Sequence, residues 1–139
     1  MINYSTLIAI FLIHWIADFI FQSHNMAINK SKSNYWLTLH VGTYSFLTLI
    51  SWIWIVPTKH STNYLFFFLF VFATHWITDF ITSRISGYYF KKNDYNFSAR
   101  KPTNLFVGVC QHNGFVTIGF DQILHYLQLL LAYYFLTNF

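Results

Sequence analysis

The chain has no glutamate; its acidic residues are four aspartates. Charged residues make up only 9% of its 139 positions, against about a quarter in ordinary soluble domains, so a water-soluble globule is a poor reading. A single cysteine, Cys110, excludes an internal disulfide. The basic residues form no stripe. They fall between apolar runs, so the formal charge of +4 does not point to nucleic acid. The N-terminal run does not read as a signal peptide. It lacks a basic leading segment, carries His14 and Asp18, and has no small-residue cleavage site after it.

What the chain has in abundance is apolar length. It is 55% hydrophobic and 23% aromatic, and its size suits one domain, 1–139. Spanning a hydrocarbon core takes about 20 mostly apolar residues in a helix. Four segments qualify, at about 4–22, 35–56, 64–85 and 118–137. Tyr35, Trp36, Trp54 and Tyr64 lie near span ends, where an aromatic belt would place them. Pro57 would end the second span. The first and third connections carry Lys30, Lys32, Arg84, Lys91, Lys92, Arg100 and Lys101, and the second carries Lys59. This asymmetry places the first and third connections in the cytoplasm and both termini outside.

Inside these runs a heptapeptide occurs twice. His14-Trp15-Ile16-Ala17-Asp18-Phe19-Ile20 matches His75-Trp76-Ile77-Thr78-Asp79-Phe80-Ile81 at all but one position. A third run carries the same pair reversed, Asp121 and His125, and His40 lies early in the second span. Residues four apart share a helical face, so His14, Asp18 and Gln22 form one stripe, His75, Asp79 and Ser83 another, and Asp121 and His125 a third. On the topology above all seven His and Asp side chains fall in the cytoplasmic half, on the order of 5–15 Å below the interface at 1.5 Å rise per residue. The expected fold is an all-α membrane protein, a four-transmembrane-helix bundle. The duplication suggests two parallel-repeat helical hairpins, with His40 matching His125.

Ionisable residues inside a membrane are costly and are read as functional by default. Neutral imidazole and carboxylate together suit zinc, with manganese or iron as alternatives, as one or two ions. The candidate ligands are His14, Asp18, His40, His75, Asp79, Asp121 and His125. Asp18, Asp79 and Asp121 are the candidate catalytic bases, and Gln22 and Gln122 would support the ligands from behind. Other readings stay open. The same residues could be buried ion pairs or a proton relay, and Asp121 could be an N-cap. His24, His60 and His112 read as solvated, and Trp15 and Trp76 as lipid-facing or packing residues. The connection 86–117 contains Asn113-Gly114 between β-prone residues, a hairpin signal, with a re-entrant or early-helical segment as the alternative.

The pattern His14-x3-Asp18-x3-Gln22, Met26-Ala27-x2-Lys30, His40, His75-x3-Asp79 and Asp121-Gln122-x2-His125 resembles a family of small bacterial and phage membrane proteins, domain of unknown function 3307. That resemblance implies a bacterial or phage-infected host inner membrane. A looser similarity is to membrane-bound metal-dependent hydrolases. The leading expectation is hydrolysis of a lipid-like or lipid-linked substrate from the cytoplasmic leaflet, with membrane lipid as partner, no nucleic acid, and an oligomer left open. The alternatives are a small transporter or proton/metal relay, and a structural or pore-forming phage protein.

Overall fold

The computed structural model describes residues 3–56, 61–98 and 105–138, and every regular element among them is helical. Helix α1 (Tyr4–Trp15) starts where the Asn3 side chain accepts a hydrogen bond from the Thr6 N–H at 2.7 Å. It runs into a π-helical turn, Ile16–Ile20. Ser23 caps the short α2 (His24–Asn29) by accepting from the Met26 N–H at 3.3 Å. Helix α3 is Asn34–Ile55, α4 is Ser61–Ser98 and α5 is Leu105–Asn138. Helix α4 packs most extensively against α5 and next against α3.

The hairpin expected around Asn113-Gly114 does not form; both residues lie inside α5. The helical alternative for this stretch is the one adopted. Helices α4 and α5 are about 57 and 51 Å long at 1.5 Å per residue, so most of the 86–117 connection continues them. Pro57, Lys59, Arg100 and Lys101 lie outside the described residues.

Among the described residues one helix, Thr62–Tyr89, is long and apolar enough to cross a membrane, and the apolar stretch Tyr4–Ile20 is shorter. Ionisable side chains are buried while many large apolar ones face outward. Ile8, Leu12, Leu65, Ile77 and Leu131 are more than half exposed, and Trp54 is 85% exposed, while four histidines and three aspartates are buried.

The interior has two regions. An apolar core of Trp52, Val56, Phe67, Val71, Leu129, Ala132 and Leu136 fills one end, with Trp52 packed on Phe67 and Tyr133. About 18 Å along α3 from Trp52, at 1.5 Å per residue, lies His40 in the polar cluster. Tyr44 belongs to the core and also touches the cluster through its ring and hydroxyl. At the cluster's open end, a Cβ on Gly87 of α4 would stand 3.1 Å from the Ser31 side chain. The missing side chain there lets the α2–α3 turn approach α4 and carries Lys30 over the cluster.

Candidate metal centre

His14 lies near the end of α1, Asp18 in the π turn, His40 in α3, His75 and Asp79 in α4, and Asp121 and His125 in α5. All seven are buried, and they meet. His40 Nε2 lies 3.1 Å from Asp18 Oδ1 and 3.2 Å from Asp79 Oδ2. His75 Nε2 is 3.4 Å from His40 Nε2 and 3.8 Å from both Asp18 Oδ1 and Asp79 Oδ2. His125 Nε2 is 3.3 Å from Asp79 Oδ1 and from Asp121 Oδ1.

Two trios present ligand atoms close enough to share an ion: Asp18, His40 and His75, and His75, Asp79 and His125. Zinc bonds of 2.0–2.2 Å put neighbouring tetrahedral ligands about 3.3 Å apart. The first trio has edges of 3.1, 3.4 and 3.8 Å, which bracket that spacing. Among the described residues the buried Asp18 Oδ1 has no hydrogen-bond donor; the His40 Nε2 beside it is engaged by the Lys30 ammonium. A buried carboxylate oxygen without a donor, facing imidazole nitrogens, fits a cation. The trios share His75, and a single imidazole nitrogen lone pair serves one ion at a time.

The duplicated heptapeptide does not give two equivalent sites. His75 stacks on Tyr44 and on His125, each with ring centroids 3.9 Å apart, and belongs to both trios. His14 belongs to neither. Its Nε2 donates to Gln122 Oε1 at 2.7 Å, and its Nδ1 then accepts from the Tyr44 hydroxyl at 2.9 Å. The Gln122 amide donates onward to Asp18 Oδ2 at 3.1 Å and Asp121 Oδ2 at 3.3 Å. His14 thus orients Gln122, and Gln122 orients two carboxylates. Local structure accounts for part of the difference. The first copy is wound as a π turn with buried Ala17, while the second is regular α-helix whose Thr78 accepts from Gln128. The π turn shifts register, and Gln22 makes no hydrogen bond to the cluster among the described residues. It lines the cavity instead.

Asp121 is not an N-cap. It stands deep inside α5, where Thr82 Oγ1 donates to its Oδ1. Trp76 is half-buried and donates its indole N–H to Thr38 at 3.1 Å, while Trp15 is half exposed and His24 is exposed. His60 lies outside the described residues, and His112 is placed only as backbone within α5.

Two participants were not anticipated from the sequence. Tyr44 is one. The other is Lys30, whose ammonium donates to Asp79 Oδ2 at 2.9 Å and to His40 Nε2 at 3.3 Å. Burial acts to lower the Lys30 pKa, but the Asp79 and Asp18 carboxylates outweigh it and raise it above the ordinary lysine value. Lys30 was visible in the Met26-Ala27-x2-Lys30 segment, but only as a loop charge.

Tyr44→Phe separates orientation from ligation. It removes the donor to His14 Nδ1 and keeps the ring stacked on His75. The expected cost is about 1 kcal/mol, the net size of one hydrogen bond, with metal content unchanged. Unfolding midpoints and metal analysis read the two effects separately; loss of metal would place Tyr44 among the binding groups.

The sequence pattern of a family described as "Protein of unknown function (DUF3307)" matches residues 6–139. No curated protein and no solved structure matches the chain.

Proposed function

The chain belongs to the DUF3307 family, and we propose that it is a four-span membrane protein that holds one divalent transition ion, zinc first, and hydrolyses a lipid-like substrate. The observation that carries the metal reading is the Asp18–His40–His75 trio, with edges near tetrahedral spacing and a carboxylate oxygen lacking a donor. Asp18, Asp79 and Asp121 outnumber the cations among them, Lys30 and an imidazolium at His125, whose two nitrogens both face acceptors, and a bound divalent ion would offset the excess negative charge.

In this reading Asp18, His40 and His75 would hold the ion, which would supply an activated water with its pKa lowered toward about 7. Asp79, oriented by Lys30 and His125, would accept the proton of the attacking water and return it to the leaving group as the scissile bond breaks. Gln122 holds the Asp18 and Asp121 carboxylates in place, and Asp121 in turn faces His125.

The membrane reading is supported by buried His and Asp beneath an exposed apolar surface, since lipid tolerates such groups only when they are paired inside. A bacterial or phage-infected host inner membrane is the setting, with both termini outside. A proton relay is the second reading. The Lys30–Asp79 pair and the chain of histidines behind it favour it, because they connect without an ion.

Metal analysis of the purified protein by mass spectrometry tests the first reading. The expected content is one transition ion per chain, removable by a strong chelator. A clean absence selects the relay. Topology is tested by thiol labelling of Cys110, expected to occur from the cytoplasmic side; labelling only from outside would reverse the orientation.

A further inference from the structure

A cavity of about 1000 Å³ opens over the cluster, between the α2–α3 turn, α4 and α5. Its lining is polarised. The acidic groups, Asp18, Asp79 and Asp121, are at the floor, and Lys32, Arg84 and Lys91 stand at the rim. A second space, of about 440 Å³, lies between α4 and α5 and is lined by Ile77, Ile81, Ile85, Phe120 and Leu124. Thr82 and Thr117 line both spaces, so the polar cavity and the apolar groove adjoin at these two residues. The groove's Ile77, Ile81 and Phe120 are more than half exposed on the outer face of the helix pair.

We propose that the ligand of these adjoining spaces is a lipid with a phosphate-bearing headgroup, its phosphate in the cavity between Lys32, Arg84 and Lys91 and its chain in the α4–α5 groove. This rests on the metal-hydrolase reading and names its substrate class. With a divalent ion and Lys30 neutralising the floor, the three rim cations have no carboxylate partner among the described residues, and an anionic group complements them. Arg84 is already positioned. It donates to Phe80 O at 2.9 Å and Asn34 Oδ1 at 2.7 Å, and it stacks 3.7 Å over the Phe80 ring. The remaining N–H groups of its fork suit bidentate phosphate binding. Ser83, on the cavity wall, has a buried hydroxyl with no hydrogen-bond partner among the described residues, and it can donate to a phosphate oxygen. Phosphate chemistry alone would also admit free phosphate. The groove favours the lipid, because the apolar space beside the anion site at Thr82 offers an inorganic ion nothing.

The test is equilibrium binding to the full chain in neutral detergent, with and without chelator. The probes are a single-chain phosphomonoester lipid, the matching monoacylglycerol without phosphate, and inorganic phosphate. The expected result is binding of the phospholipid at least tenfold tighter than either of the others. Arg84→Gln and, separately, the exposed Lys32→Gln should each weaken it several-fold to tenfold. Ile81→Trp, which fills the groove, should weaken the lipid and leave inorganic phosphate unchanged. Equal binding of monoacylglycerol overturns the phosphate assignment, and equal binding of inorganic phosphate overturns the lipid assignment. Indifference to both Arg84→Gln and Lys32→Gln overturns the placement. Stoichiometric metal without lipid binding sinks this proposal alone. Phosphate-dependent lipid binding by protein that holds no metal sinks the hydrolase reading and keeps the lipid site.

Discussion

His75→Ala is expected to lower metal affinity by about a hundredfold or more. Replacing groups that merely support ligands costs ten- to hundredfold, and His75 is placed to bind the ion itself. It is common to both ligand trios, so neither trio survives its loss intact. His40→Ala leaves the His75–Asp79–His125 trio available and should cost less. Trp76→Phe is the matched control. It forfeits the hydrogen bond to Thr38 but keeps an aromatic ring on the neighbouring face, and it should hold metal as the parent does. Metal content and a competition titration with a chromophoric chelator give both numbers. If His75→Ala and Trp76→Phe both keep full metal with equal stability, the duplicated heptapeptide is a packing element and the hydrolase reading falls.

The second large effect belongs to Asp79→Asn, measured with chelator present so that no ion takes part. Asp79 receives Lys30 at 2.9 Å and lies 3.2 and 3.3 Å from His40 and His125. Removing its charge takes away the carboxylate that Lys30 donates to and leaves the ammonium facing an amide, with only the more distant Asp18 charge beside it. Breaking a buried pair from one side typically costs 3–5 kcal/mol. The lower end, about 3 kcal/mol, is expected here, because the Lys30 side chain is 16% exposed and can turn toward the cavity. Lys30→Met in the Asp79→Asn background removes the stranded charge and should recover a large part of the loss. A double-mutant cycle on unfolding free energies reads the coupling. Strict additivity of the two substitutions would show that Lys30 and Asp79 do not form a working pair. Lys30→Met alone should tighten metal binding if the ammonium competes with the ion for Asp79 and His40.

The helices and much of the cluster could be read from local patterns. Apolar runs interrupted by His and Asp four residues apart specify helices with one polar stripe, because i and i+4 positions share a face whatever surrounds them. The same rule did not extend to Gln22, since a π turn between His14 and Gln22 breaks the repeat. Nor did it decide the 86–117 segment, where a turn signal at Asn113-Gly114 was overridden and the chain stayed helical. Turn propensity is a matter of a few tenths to one kcal/mol, and context outweighs it.

What the sequence by itself determined was which residue types sit inside the bundle and that they come in pairs on three helices. Which of them face one another was decided only by the tertiary structure. Identical heptapeptides put His75 at the junction of both trios and His14 against Gln122 and Tyr44, because what a side chain meets depends on the neighbouring helices rather than on its own. Lys30 reaches Asp79 across 49 positions of sequence, by a flexible stem carried on a turn that approaches α4 at Gly87. No local periodicity encodes that contact. It exists because packing brings the turn over a cluster whose negative charge needs a cation.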